Sequence, residues 1–162
     1  MTGLGLYGAV VLALLIAELR EDRRAQFFFK PMAAFGFVIL ALQFGALEST
    51  YGIIILLGLL ACGAGDVFLL SRKSENMFKA GMGTFAFGHV LYMTAFGLQF
   101  EGLDIDGYVV VGLTLLSASA YFLWLKPHLD KDMVVFILIY TVIISLMVFA
   151  SVARFNYFLK YA

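Results

Sequence analysis

The sequence predicts an all-α fold, a polytopic transmembrane helical bundle of about six spans that forms a single domain over residues 1–162. Apolar residues make up 63% of the chain and charged residues only 14%, which is far from the composition of a soluble domain. The apolar residues fall in six runs, most of them near the ~20 residues that cross ~30 Å of hydrocarbon. None of the runs alternates with period two, so helices, rather than barrel strands, satisfy the backbone amides in lipid.

The six predicted spans follow one another with short loops between them. The first, Gly3–Ala17, is a retained span and not a secretory signal, because no basic residue precedes it and the charged segment 18–21 replaces a cleavage site. The others are Pro31–Leu47, Tyr51–Leu70, Met82–Phe100, Gly107–Leu125 and Met133–Ala153. No Pro/Ser-rich linker or internal repeat divides them, so we expect one domain.

Charge is distributed unevenly between the loops. The odd-numbered loops carry the basic residues Arg20, Arg23, Arg24, Lys30, Arg72, Lys73, Lys79, Lys126 and Lys131. The even-numbered loops carry Glu48, Glu101, Asp104 and Asp106 instead. The positive-inside tendency therefore places the odd loops in the cytoplasm and the N-terminus outside, in what we expect to be the inner (plasma) membrane of a bacterium. Arg154 and Lys160, after the sixth span, disagree with this orientation.

The net charge and the cysteine count exclude several kinds of partner and site. Eleven basic and eleven acidic residues cancel, so no overall charge attracts nucleic acid, and membrane lipid is the expected partner. Cys62 is the single cysteine, which excludes an intramolecular disulfide and a cysteine metal site. We expect neither a metal nor a cofactor.

Two titratable residues lie within the predicted hydrocarbon, Asp66 in the third span and His89 in the fourth. A carboxylate at the middle of a membrane costs about 3 kcal/mol, so such groups face a bundle interior, a cavity or a partner. The neighbouring Gly63-Ala64-Gly65 and Gly88 allow close helix approach or leave room for a ligand. Asp66 and His89 each lie ~8–10 Å along their helices from the same loop, so a direct or water-bridged contact between them is feasible.

Two further residues are candidates for substrate binding. Tyr92 shares a helical face with His89, and Lys30, at the cytoplasmic entrance of the second span, is placed to bind a phosphate head group. Structural roles stay open for all of these residues. Asp66 and His89 could fix helix packing through hydrogen bonds, Tyr92 could be structural, and Lys30 could serve only to set the topology.

Four segments together carry a likeness to a known family. They are Phe29-Lys30-Pro31, the segment 58–70 with Gly65-Asp66, the segment 81–92 with Gly88-His89 and Tyr92, and the end of the sixth span over 147–153. With these motifs the chain resembles the YhhN family of membrane proteins, which includes lysoplasmalogenases. The resemblance covers essentially the whole chain.

The resemblance also implies a longer protein. Family members usually have about eight spans, and a later span carries a second glycine-alanine and serine-aspartate motif whose aspartate is regarded as part of the active site. No such motif follows Ala153. We therefore expect a C-terminally shortened member in which Asp66 and His89 represent half of the family's chemistry.

The activity that the resemblance implies is hydrolysis of the vinyl ether bond of a lysolipid substrate, a lysoplasmalogen. The products are a fatty aldehyde and glycerophospho-ethanolamine or glycerophospho-choline. An enol ether is cleaved by protonation of its β-carbon followed by attack of water on the oxocarbenium ion. Asp66 is expected to be the catalytic acid and His89 a water base or an orienting partner, while Lys30 and Tyr92 are expected to bind the substrate.

Other functions stay open at this point. The main alternative is a proton-coupled transporter or a lipid-binding membrane protein without hydrolase activity, in which Asp66 and His89 titrate to gate access. The paired repeats and broken helices of transporters are not evident in the sequence, which counts against a transporter. A hydrolase of other ether or ester lipids and a purely structural fragment are further alternatives. A hydrolase with a serine nucleophile would need that serine in a nucleophile-elbow pattern. None of the serines considered lies in such a pattern: Ser71, Ser74, Ser117 and Ser119.

Overall fold

The computed structural model of the chain describes residues 2–70, 74–98 and 102–161. Over these residues the protein consists of six α-helices and two short 3-10 turns, with no strand. The helices are α1 (Thr2–Leu19), α2 (Arg23–Gln43), α3 (Thr50–Leu70), α4 (Glu75–Gly97), α5 (Ile105–Leu125) and α6 (Lys131–Tyr161). The 3-10 turns are Ala46–Glu48 and Lys126–His128. The predicted all-α class is confirmed.

Four helices in the described parts of the chain are long and apolar enough to cross a membrane. They are α2, α3, α5 with the turn that follows it, and α6 over Met133–Phe155. The apolar stretch of α1 is shorter, Tyr7–Leu19, and α4 falls short because its glycines, threonines and His89 lower its mean hydropathy. The chain is an integral membrane protein, and the prediction of about six spans agrees with the six helices observed.

Small residues form the helix interfaces. The buried hydrophobic residues are Ala17, Ala33, Ala46, Ala95, Ala150 and Ala153, and none of the described large side chains is fully buried. Large apolar side chains such as Leu19, Phe44 and Ile105 are instead exposed. Lipid tails are as apolar as leucine, so small residues that let backbones approach, rather than large ones, hold membrane helices together.

The chain divides into two compact units, Met1–Gly88 and His89–Ala162. In the first unit, α1 packs on α2 and α2 packs on α3, while the first part of α4 lies against α3. In the second unit, α5 packs on α6. The prediction of one domain stays a prediction.

The beginning of the second span is earlier than predicted. The Asp22 carboxylate caps α2 by accepting hydrogen bonds from the backbone amides of Arg24 (3.0 Å) and Ala25 (3.2 Å). Such a cap satisfies the free amides of a first turn, so the polar residues before the apolar run are already helical. Pro31 consequently lies inside α2 and not at its start.

Other predicted ends also differ from the observed ones. α2 ends at Gln43 and not at Leu47, because Gly45 adopts a left-handed conformation with φ 76° that interrupts the helix. α4 begins at Glu75, before the predicted Met82. The residues of the sequence predictions that lie outside the described backbone are Ser71, Arg72, Lys73, Phe100 and Glu101.

Candidate functional site

The junction between α1 and α2 brings a basic and an acidic side chain together. Lys30 Nζ lies 2.7 Å from Glu18 Oε1, and the two side chains are 26% and 40% exposed. Lys30 is ~10 Å along α2 from its first residue, because α2 begins at Arg23, and its predicted place at the cytoplasmic entrance of the second span stays a prediction. An ion pair this exposed contributes about 0–1 kcal/mol to stability, so it can separate at little cost.

Hydrogen bonds within the junction fix the positions of both charged residues. The buried side-chain amide of Gln26 donates to the Ala17 carbonyl (3.4 Å), and the Asp22 backbone amide donates to the same carbonyl (3.0 Å). Ala17 immediately precedes Glu18, and Gln26 lies one turn before Lys30 on α2. The α1–α2 connection is therefore a defined corner that holds Glu18 beside Lys30.

Asp66, on α3, belongs to the same cluster. It is partly buried, and its carboxyl group is close enough to the Lys30 ammonium for Coulombic attraction. Lys30 therefore forms an ion pair with Glu18 and is also attracted by the Asp66 carboxylate. We refer to Glu18, Lys30 and Asp66 as the charged cluster.

An apolar groove of about 240 Å³ runs between α2 and α3. A Cβ placed on Gly63 would lie 3.3 Å from the Ala34 Cβ, so these two residues oppose each other near the middle of the groove. Pro31 and Val67, which also line it, are the chain neighbours of Lys30 and Asp66. Because α2 and α3 run antiparallel, the charged cluster lies at one end of the groove, and the groove leads from it along both helices.

The glycines next to Asp66 and His89 serve close helix packing. Gly65 lies on the Phe85 ring, where an added Cβ would be 2.6 Å from the ring Cδ2. An added Cβ on Gly88 would be 2.6 Å from Cys62 Sγ and 3.0 Å from the Gly58 carbonyl oxygen. Of the two uses predicted for these positions, close helix approach is the one observed at Gly65 and Gly88.

A second group of polar side chains lies in the unit His89–Ala162. The His89 ring meets the Tyr92 ring at 6.0 Å and the Tyr140 ring at 5.7 Å between centroids, with interplanar angles of 71° and 81°. Both contacts are edge-to-face, the arrangement that the charge distribution of aromatic rings favours. We refer to His89, Tyr92 and Tyr140 as the aromatic cluster.

Several serine and threonine hydroxyls in the described helices donate hydrogen bonds to the backbone of their own helix. Ser117 Oγ donates to the Leu113 carbonyl (2.8 Å) and Ser145 Oγ to the Thr141 carbonyl (2.8 Å), as is common for hydroxyl residues inside helices. The described residues contain no group of three or more His, Cys, Asp or Glu side chains that could hold a metal ion.

Comparison with known proteins places the chain in a family. The model of the YhhN family matches residues 25–161, nearly the whole chain. This protein belongs to the YhhN family. No curated protein and no solved structure matches it.

In this YhhN-family chain, the four predicted site residues fall into two groups. Lys30 and Asp66 lie together in the charged cluster, and His89 and Tyr92 lie together in the aromatic cluster. The predicted Asp66–His89 contact would join the two units and stays a prediction.

The sequence predictions missed Glu18 and Tyr140. Glu18 precedes the part of the chain that matches the YhhN model. A signal for each was present, since Glu18 is a charge at the end of an apolar run and Tyr140 places a hydroxyl group within the sixth span.

Proposed function

We propose that this YhhN-family protein is a membrane hydrolase that cleaves the vinyl ether bond of lysoplasmalogens. The products would be a fatty aldehyde and glycerophospho-ethanolamine or glycerophospho-choline. The observation that supports the proposal most is the position of the charged cluster at one end of an apolar groove. Such a groove suits a single hydrocarbon chain, and such a cluster suits the polar end of the same molecule.

The shape of a lysoplasmalogen agrees with this arrangement. It has one alkenyl chain, and its vinyl ether bond lies directly beneath the glycerophosphate. With the chain along the α2–α3 groove, the bond would lie near Asp66, ~6 Å along α3 from its end at Leu70. The Lys30 ammonium would then bind the phosphate.

The proposed chemistry needs an acid and a water molecule. The Asp66 carboxyl group donates its proton to the β-carbon of the vinyl ether, and the resulting carboxylate stabilises the oxocarbenium ion. Water then attacks the cation and returns a proton to the site, and the hemiacetal that forms breaks down to the aldehyde and the free glycerol hydroxyl. We propose that His89 accepts or relays the proton of water and that Tyr92 helps to bind the substrate.

Asp66→Asn tests this role, because an amide has no acidic proton to donate. We expect aldehyde release from a lysoplasmalogen to fall by about 10²–10⁴-fold, the usual contribution of a general acid. Asp106→Asn is the matched control, since Asp106 is an exposed carboxylate at the start of α5, and it should keep full activity. Unchanged turnover of Asp66→Asn would exclude Asp66 as the acid.

The main alternative is a lipid-binding protein or proton-coupled transporter with the same groove and no hydrolysis. The same measurements separate the two functions. A wild-type protein that binds lysolipid but releases no aldehyde would exclude the hydrolase and leave the alternative.

A further inference from the structure

We propose that Glu18 selects the head group of the lipid bound at the charged cluster, favouring head groups that carry both a phosphate and an ammonium group. This inference rests on the part of the proposed function that places the polar end of a lysolipid at Lys30. It goes beyond that function by assigning a specificity-determining residue outside the segment that matches the family model.

The first support is charge complementarity. Glu18 and Lys30 form a pair of opposite charges 2.7 Å apart, and a phosphoethanolamine or phosphocholine group is also a pair of opposite charges on a short spacer. The lipid phosphate can take the place of the Glu18 carboxylate on Lys30, while the lipid ammonium takes the place of Lys30 on Glu18. One ion pair is exchanged for two, and no charge is left without a partner.

The second support is that the Glu18–Lys30 pair is able to open. Both side chains are partly exposed, so water or lipid polar groups can reach them as they separate. The hydrogen bonds of Gln26 and Asp22 to the Ala17 carbonyl keep the backbone before Glu18 in place.

The third support is that a head group without an ammonium group would be repelled by Glu18. A phosphoglycerol group has a phosphate but no ammonium, so on Lys30 it would displace the Glu18 carboxylate and leave it close to another negative charge. Discrimination by such a repulsive contact is a common means of specificity. Glu18→Gln removes the repulsion and the attraction together, and it should therefore abolish the preference.

The experiment is a binding competition that involves no hydrolysis. The purified full chain is incubated with equal amounts of lysophosphatidylethanolamine and lysophosphatidylglycerol that carry the same ester-linked chain, and the bound ratio is measured by native mass spectrometry. We expect the wild type to prefer the ethanolamine lipid by about twofold to fivefold, as one partly exposed ion pair allows. Glu18→Gln should bring the ratio close to one, and Glu18→Asp, which keeps the charge, should retain the preference.

Glu21→Gln is the matched control, because Glu21 is an exposed carboxylate in the same connection and should leave the ratio at the wild-type value. Equal binding of the two lipids by the wild type would overturn the proposal without any variant, as would an unchanged ratio in Glu18→Gln. If only the hydrolase proposal is wrong, the wild-type protein shows the expected binding ratio but releases no aldehyde. That result would support the role of Glu18 in head-group selection and exclude the hydrolysis.

Discussion

Tyr7 carries a polar group that the helix interface leaves without a partner. Its hydroxyl is buried and makes no hydrogen bond with any part of the chain that the structure describes. The ring lies on Gly36 of α2 and meets the Phe37 ring edge-on, with centroids 5.1 Å apart. The ring therefore contributes packing, and the hydroxyl contributes a desolvation cost.

Tyr7→Phe should consequently leave the protein as stable as the wild type or more stable, by up to about 1–3 kcal/mol, because it removes an unsatisfied buried group and keeps the ring. Thermal unfolding in detergent measures the change. Tyr108→Phe is the control, since Tyr108 is exposed and its replacement should change nothing. A lower Tm for Tyr7→Phe than for the control would mean that the hydroxyl has a stabilising partner.

Hydropathy and cost arguments single out Asp66 and Lys30 in the sequence but do not predict the Glu18–Lys30 ion pair. A charge within an apolar run is costly, so Asp66 is visible in the sequence by itself. The Glu18–Lys30 pair depends instead on the corner between α1 and α2, which is formed by the Asp22 cap and by the Gln26–Ala17 hydrogen bond. The pattern of apolar residues predicts neither the cap nor this hydrogen bond.

At the scale of helices, apolar runs predicted the number of elements well and their ends less well. The third and fifth helices begin within two residues of the predicted spans and end where predicted, at Leu70 and Leu125. The second, fourth and sixth helices extend beyond the predicted spans at one or both ends, because a helix can continue through polar residues once it leaves the hydrocarbon. Hydropathy measures the part of a helix in lipid, whereas caps and glycine conformations decide where it ends.

The packing of α3 on α4 depends on glycine at the crossing. Gly88→Ala would place a Cβ 2.6 Å from Cys62 Sγ and 3.0 Å from the Gly58 carbonyl oxygen. The side chain of Cys62 can adjust, but the backbone oxygen can move only with its helix. We expect a loss of about 1–3 kcal/mol in the free energy of unfolding, as for other overpacked interfaces.

Gly83→Ala, on the same helix, is the matched control. A Cβ there would meet nothing within 4 Å, so the higher helix propensity of alanine should make this variant neutral or more stable by up to about 1 kcal/mol. Unfolding of both variants in detergent gives the comparison. Equal effects of the two substitutions would contradict close packing at Gly88.

At the scale of the whole molecule, loop charges predict which side of the membrane each connection faces. Within the first unit, the attraction between Lys30 and Asp66 agrees with an antiparallel α2 and α3, whichever side of the membrane their shared end faces. Lys30 lies towards the first loop and Asp66 towards the third, and these loops share a side only if α2 and α3 run antiparallel. The charged cluster would then face the cytoplasm.

Accessibility of introduced cysteines tests the orientation in a Cys62→Ala background, where no native thiol remains. Glu21→Cys and Asp130→Cys lie in the first and fifth connections, whereas the exposed Leu47 and Ile105 mark the second and fourth. A thiol reagent that does not cross membranes should label Leu47→Cys and Ile105→Cys in intact bacterial cells. It should label the other two only after the membrane is opened, because the basic loops are retained inside. The reverse pattern would place the charged cluster at the outer surface, and labelling of only one position of either pair would exclude an even alternation of six spans.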